Sequence, residues 1–317
     1  MIVLSRRWPL LRRVATLLLS ALLMAWAAIT LTFLAIHLAP GDAVTAVMGE
    51  SSNPDLRAQV EHDWGLDRPL GVQYLHYLTD LAHGDMGYSY VRGEPVTHIL
   101  FGDQLSATAR LAGVALVFVV VIAPILAVLT AGHRNWLART VSGIELSFAS
   151  APTFWIGLIL IWIFAFTLRV LPVTSGNELQ RLILPGLTLA LPIAAVLAQV
   201  MRGGIEKALE QPFVVTARSR GSGETSIRLR HGLRHSMLPA ATLAGWAVSG
   251  LLTGTVVVEE VFGRAGLGTV TVQAVTYKDL PVVLGVALLT AVIYLAVTML
   301  VEIAYVWIDP RLKETSR

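Results

Sequence analysis

"LAGVALVFVVVIAPILAVLTAG", residues 111–132, carries no Asp, Glu, Lys or Arg over 22 positions. A helix rising about 1.5 Å per residue needs about 20 predominantly apolar residues to cross the hydrocarbon core, so this stretch reads as a membrane span. Five further stretches share the property: 14–41, 146–168, 182–201, 236–258 and 280–301. Six crossings are predicted, and with them an all-α membrane protein. A composition of 55% hydrophobic and 14% charged residues agrees, lying well away from that of soluble domains.

The net charge of +3 says little, but its distribution orients the chain. Residues 1–13 hold four arginines and no acid, whereas 39–104 hold ten acids against three arginines. Since Lys and Arg stay on the cytoplasmic side, the N-terminus is expected inside. The predicted order is then a cytoplasmic N-terminus (1–13), a span at 14–38, an external loop at 39–104, a span at 105–132 and a cytoplasmic loop at 133–140. A span at 141–168, an external loop at 169–181, a span at 182–201 and a cytoplasmic loop at 202–235 follow. A span at 236–260, an external loop at 261–279, a span at 280–308 and a cytoplasmic tail at 309–317 complete a single domain. The inner loop and the tail add seven and three basic residues to the same side. Arg6-Arg7 followed by Ala25-Trp26-Ala27 imitates an export signal. The apolar run continues through Ile36, past the roughly 7–15 residues of a cleavable core, so the first helix is expected to be retained.

Between the first two spans, Asn53-Pro54-Asp55 marks a helix start, with Leu56, Val60 and Trp64 in steps of four. Val72, Leu75, Leu78 and Leu81 recur every three residues before Gly84. Short amphipathic helices are predicted there. In the fifth span Ala241, Gly245, Ser249 and Thr253 repeat every four residues beside "GLLTG", whose ends are Gly250 and Gly254. Small residues let helix backbones approach, so with Gln199 and Thr242 these are the candidates for helix packing or for lining a pathway; packing within the chain is the default. Ionisable residues such as Arg110, Glu145, Glu259, Glu260 and Glu302 stand only near span ends. A proton-coupled carrier normally needs one deep in the membrane, and none is supplied at a span centre.

Motif absences narrow the chemistry. There is no GxxxxGK[ST] loop, and only three lysines exist, so ATP hydrolysis by this chain is not expected. HExxH and GxSxG are absent, and no catalytic residue is nominated. With no cysteine there is no disulfide or thiolate site. His62, His76, His83 and His98 are separated by 14, 7 and 15 residues, which puts no pair on one helical turn, and no metal site is expected.

The segment "FVVTARSRGSGETSIRLRHGLRHSMLP", residues 213–239, holds five arginines and two histidines against one glutamate. A short helix at 216–220 is expected to break at Gly221 and Gly223, with a second at 224–237 whose Leu229, Leu233 and Met237 form an apolar face. Such a helix could lie on anionic lipid or enter a partner's groove, physics alone slightly favouring the lipid. Pro239 would restart the chain into the membrane.

"TARSRG" and "RHGLRHSMLP" resemble the inner loop of permease subunits of ATP-binding-cassette importers, in the dipeptide, oligopeptide and nickel transport family, first-permease type. "LAPGDAVTAVMGE", "GLDRPLGVQYLHYL", "HGDMGYSY", "FWIGLILIWIFAF", "LILPGLTLALP", "VVVEEVFGRAGLG" and "IDPRLK" match in the same order, covering nearly the whole chain. The resemblance implies the six-helix type I importer permease fold with coupling helices, in a bacterial inner membrane, both termini cytoplasmic. It implies a second homologous permease, two ATP-binding subunits carrying ATP and Mg, and an external solute-binding protein; no nucleic acid is expected. By the same resemblance Thr216, Ala217, Arg218, Arg220 and Gly221 would dock into an ATPase cleft, with Arg230, His231, Leu233, Arg234 and Pro239 shaping the following helix. Pro40, Gly41, Asp42, Glu259, Gly266 and Gly268 would belong to the external docking face. Ala43 stands where the family usually has a second proline, Ala265-Gly266 where it often has Pro-Gly, and Val215 where the broader motif has Glu. The first two departures alter loop rigidity outside and leave the inner loop untouched. Peptides are the expected solute, with nickel or its chelates, glutathione and opines as alternatives. A stand-alone carrier or channel and an intramembrane hydrolase are the rival classes.

Overall fold

The computed structural model describes residues 8–48, 53–133 and 135–308. The arginines at 6 and 7, Glu50 and most of "IDPRLK" lie outside the described residues. The helices, in chain order, are α1 (Trp8–Leu38), α2 (Ala43–Met48), α3 (Pro54–Asp63), α4 (Leu70–Ala82), α5 (Val96–Phe101), α6 (Asp103–Thr130), α7 (Trp136–Ser150) and α8 (Thr153–Leu160). They continue with α9 (Glu178–Leu209), α10 (Pro212–Ser219), α11 (Glu224–Ile227), α12 (Leu233–Thr242), α13 (Ala244–Val261), α14 (Leu267–Thr276) and α15 (Leu280–Ile308). Two π-helical segments, Ile161–Thr167 and Arg228–Gly232, extend α8 and join α11 to α12. Among the described residues there is no strand, only an isolated bridge between Tyr88 and Pro95.

Four helical stretches are long and apolar enough to cross a membrane: Leu19–Leu38, Val96–Thr130, Glu178–Leu209 and Leu280–Val301. Two further candidates are bent pairs, giving up to six spans. Trp136–Ser150 and Thr153–Thr167 meet at 117°, so the uncharged run at 146–168 is divided. The reason is Pro152, which holds Ala151 extended at φ −77, ψ 141 and has no N–H for the ladder. Glu224–Thr242 and Ala244–Val261 meet at 60°, with the break at Leu243 rather than at Pro239, which lies inside α12. Exposed apolar side chains such as Val117, Val120 and Leu129 on α6 are what a lipid-facing helix presents.

The chain divides into two units. One comprises the residues up to Ser106 with Ala265–Ala296. In it Asn53 caps α3, accepting from the Asp55 amide at 3.1 Å, and Pro54 opens the helix where its missing N–H costs nothing. Leu100, Val96 and Ile99 of α5 pack with Val270, Val282 and Val283. Ile29 and Phe33 of α1 pack with Leu280 and Leu284. A buried carboxylate ties the unit together: Asp279 accepts from Ser89 Oγ at 2.5 Å and from the amides of Tyr90 and Val91 at 3.0 and 3.3 Å. Beside it, Lys278 Nζ donates to the carbonyls of Ala39 and Gly41 at 2.6 and 2.7 Å, satisfying acceptors just past the end of α1.

The other unit runs from Ala107 to Arg264 and includes the residues from Val297 on. Its core is built on α9, whose Asn177 and Gln180 form a capping box. Small buried residues on α6 (Ala115, Ala123, Ala127) and α9 (Ala190, Ala194, Ala198) belong to one core with Ile156 and Leu160 of α8 and Ala247 and Leu251 of α13.

Candidate functional site

The basic segment leaves α9 at Gln211 and turns at once into α10, with Pro212 at its first position. The end of α10 is a Schellman turn. The Ser222 amide donates to Ala217 O at 3.1 Å and the Gly221 amide to Arg218 O at 2.9 Å, with Gly221 at φ +81. No atom lies within 4 Å of a Cβ built on Gly221, so the glycine is needed for its left-handed backbone and not for space. Arg218 closes the turn with a forked ion pair, Nε and Nη2 reaching the two Glu224 oxygens at 2.7 and 3.3 Å. That hydrogen bond and the charges of Arg218 and Arg228 hold the Glu224 carboxyl below the usual range.

The second helix differs from the expected one. It is helical from Glu224 to Thr242, but the π turn inserts an extra residue and shifts the phase. The buried positions are Ile227, Gly232 and Ser236, five and then four apart, while Leu229 and Met237 are exposed and only Leu233 of the expected apolar face packs on the core. Two glycines make the contact with α9. A Cβ on Gly204 would meet the Ser236 backbone at 2.9 Å, and one on Gly232 would meet Ile205 at 2.9 Å. Arg228 Nη1 lies 3.2 Å from His133 Nε2, and Glu206 accepts from the Gly132 amide at 3.2 Å, so the α6–α7 turn joins the same assembly.

Further along α9, Arg202 donates from Nε to Thr130 at 2.6 Å, from Nη1 to Ser142 at 2.7 Å and from Nη2 to Glu145. The side chains of Arg202 and Glu145 are 14% and 2% exposed. This buried pair bolts α6, α7 and α9 together. It escaped the sequence reading, where Arg202 counted only as one of the inner loop's cations. A glutamate and an arginine at the ends of neighbouring apolar runs were the available signal.

The expected coupling residues are mostly on the surface. Thr216, Arg218, Arg220, Gly221, Arg230, His231 and Arg234 are exposed, and Ala217, Leu233 and Pro239 are half-buried. Among the described residues Arg220, Arg230 and Arg234 make no ion pair, which leaves three cations on the outer face of a segment whose inner face is locked to α9. Phe213 sits beside His231 and His235, ring centroids 5.8 and 6.0 Å away.

The packing stripe divides. Gly250 and Gly254 lie against Ile193 and Leu189 of α9, whereas Gly245 has open space, Ser249 is half-buried and Thr253 is exposed. The face of α13 that packs inward is Ala247, Leu251, Thr255 and Val258. Gln199 is half-buried and Thr242 exposed, its hydroxyl donating to Pro239 O.

Three of the expected external docking residues are not on a surface. Glu259 is 1% exposed and accepts from Thr108 Oγ1 at 2.6 Å, because it falls on the buried face of α13, one residue from the exposed Glu260. Gly266 and Gly268 are buried at the start of α14. Pro40 and Gly41 are exposed; Asp42 caps α2, accepting from the Val44 and Thr45 amides and from Arg57 Nη2 at 2.5 Å. Burial would raise the Asp42 carboxyl, but the Thr45 hydroxyl, these amides and Arg57 together hold it below its usual range. Lys278 and Asp279, unremarked in the sequence, are the residues that fasten this region.

The chain matches two families along its length. Residues 123–314 fit the binding-protein-dependent transport system inner membrane component, and residues 8–112 fit the N-terminal part of such membrane components. It is 34% identical over 284 residues to the glutathione transport system permease protein GsiC of Salmonella typhi, with 89% of this chain and 92% of the relative covered. GsiC of Escherichia coli (strain K12) matches with the same identity and coverage. The helical architecture is that of a type I importer permease. The chain therefore belongs to the inner-membrane permease family of binding-protein-dependent transport systems, as a multi-pass permease subunit of an ATP-binding-cassette importer in the peptide, nickel and glutathione group.

Proposed function

We propose that this chain forms half of the pathway of a di- or oligopeptide importer and takes its driving motion through residues 213–239. The observation that carries this reading is a two-faced segment. One face is fused to α9 through Gly204, Ser236, Gly232 and Ile205, and the other offers Arg220, Arg230 and Arg234 to a partner. A push on the Schellman turn is then delivered to α9, and the Arg202 bolt carries it to α6 and α7. Each of two ATP-binding subunits, holding ATP and Mg, would supply that push to one permease of a pair made by this chain and a second, homologous but non-identical permease. An external binding protein would deliver solute to the opposite face, with both termini of this chain cytoplasmic. Glutathione, itself a tripeptide, is the second reading for the solute, favoured by the name of the relatives.

The chain contains no cysteine, so Ser222→Cys creates a unique thiol beside the docking turn. In the assembled complex it should cross-link to an ATP-binding subunit and be shielded from a bulky maleimide. Equal labelling with and without the ATP-binding subunits would end this reading. Uptake of radiolabelled dipeptides and glutathione by vesicles with the complete complex would separate the two solutes.

A further inference from the structure

The unit containing α3 and α4 carries an open-mouthed cavity of about 470 Å³ that the coupling geometry does not use. One wall is aromatic: Trp64 and Tyr90 stack with ring centroids 4.3 Å apart and planes 10° from parallel. Phe33 and Leu284 add apolar surface. Asp63 and Arg68 also line the cavity, at the two ends of one turn. Among the described residues neither takes part in an ion pair. The turn between them is held in place. Gly65 takes φ +67, and Gln73 Nε2 donates to the carbonyls of Leu66 and Arg68 at 3.2 and 2.8 Å. Tyr77, on the same lining, keeps its hydroxyl buried with no hydrogen-bond partner among the described residues. Burial pushes this phenol up to about 12, and the hydroxyl is screened from the cavity space.

A fixed turn with opposite charges at its ends and an aromatic wall are the complement of a small zwitterion with an apolar side chain. The volume falls within the range of small-molecule sites, about 300–1,000 Å³. We propose that this cavity binds a short zwitterionic peptide or an amino acid, with the ammonium at Asp63, the carboxylate at Arg68 and the side chain against Trp64 and Tyr90. A chain that engaged no ATP-binding subunit would still possess this site, so its failure and that of the coupling reading are separate.

The test uses the full-length protein in lipid nanodiscs, with alanyl-phenylalanine as the probe and binding read by calorimetry and saturation-transfer NMR. Asp63→Asn and Arg68→Gln, both at exposed positions, should each weaken binding by about tenfold or more, as loss of a charge-assisted hydrogen bond does. N-acetyl-alanyl-phenylalanine should bind the native protein more weakly by a similar factor and lose nothing further on Asp63→Asn. The C-terminal amide should show the same relation to Arg68→Gln. Free phenylalanine binding as tightly as the dipeptide would assign the site to amino acids within the same class. Absence of saturable binding to the native protein would overturn the proposal. So would binding that both variants leave within about twofold, or acetylated probe that remains sensitive to Asp63→Asn.

Discussion

Removing the Arg202 guanidinium tests the buried bolt on which transmission through α9 depends. Arg202→Met keeps the length and apolar stem of the side chain but strips three hydrogen bonds, two of them at 2.6 and 2.7 Å. Thr130 and Ser142 lose little, since their hydroxyls still donate to Leu126 O and Ala138 O at 2.6 and 2.8 Å. Glu145 loses its counter-charge while its side chain is only 2% exposed, and its Oε1 already has no partner among the described residues. Breaking one side of such a pair typically costs about 3–5 kcal/mol, because a buried charge is left uncompensated. Replacing both members with apolar residues avoids that penalty, so Arg202→Met combined with Glu145→Leu should recover most of the loss. Unfolding of the full chain in mixed micelles, titrated with SDS and followed by tryptophan fluorescence, would give the double-mutant cycle. A coupling energy below about 0.5 kcal/mol, the scatter of independent sites, would refute the reasoning.

Neighbouring glycines on α9 should respond with opposite signs: Gly204→Ala meets the Ser236 backbone at 2.9 Å and should cost about 1–3 kcal/mol. Gly203→Ala meets nothing within 4 Å and should be neutral or stabilise by up to about 1 kcal/mol, both read in the same SDS titration. Asp279→Asn turns one acceptor of a buried carboxylate into a donor facing Ser89 or the Tyr90 and Val91 amides. It should cost about 1–3 kcal/mol and speed hydrogen exchange at those two amides. The depressed Asp42 carboxyl binds its proton more weakly folded than unfolded, so its stabilising contribution is complete above about pH 4 and lost as pH falls through the lower folded value. Exchange of the Val44 and Thr45 amides should therefore accelerate in acid once corrected for intrinsic rates, and Asp42→Asn should abolish that dependence.

Local features of the fold are legible in the sequence. Runs of uncharged residues long enough for a bilayer identify spans because hydropathy sums along the chain. The helix start at Asn53 follows from which side chains accept from an unpaired N–H, whereas the short helix expected at 216–220 opens earlier, at Pro212, whose missing N–H suits the first helical position. A regular period misses the π turn at Arg228–Gly232: the buried line there runs through Ile227, Gly232 and Ser236, five and then four apart, and Leu229 and Met237 are exposed. Glu259 and Glu260 are interchangeable in a string, and only the packing of α13 buries the first and exposes the second.

By itself, then, the sequence determined an all-helical membrane permease, its ordered family motifs and the basic segment between α9 and α13. The tertiary structure decided which charges are spent inside. Arg202 finds Glu145 57 positions away, Glu259 finds Thr108 at 151, and Asp279 finds Ser89 at 190. Such partners are chosen by the need to satisfy a polar group withdrawn from water, and no spacing along the chain encodes where that group will be found.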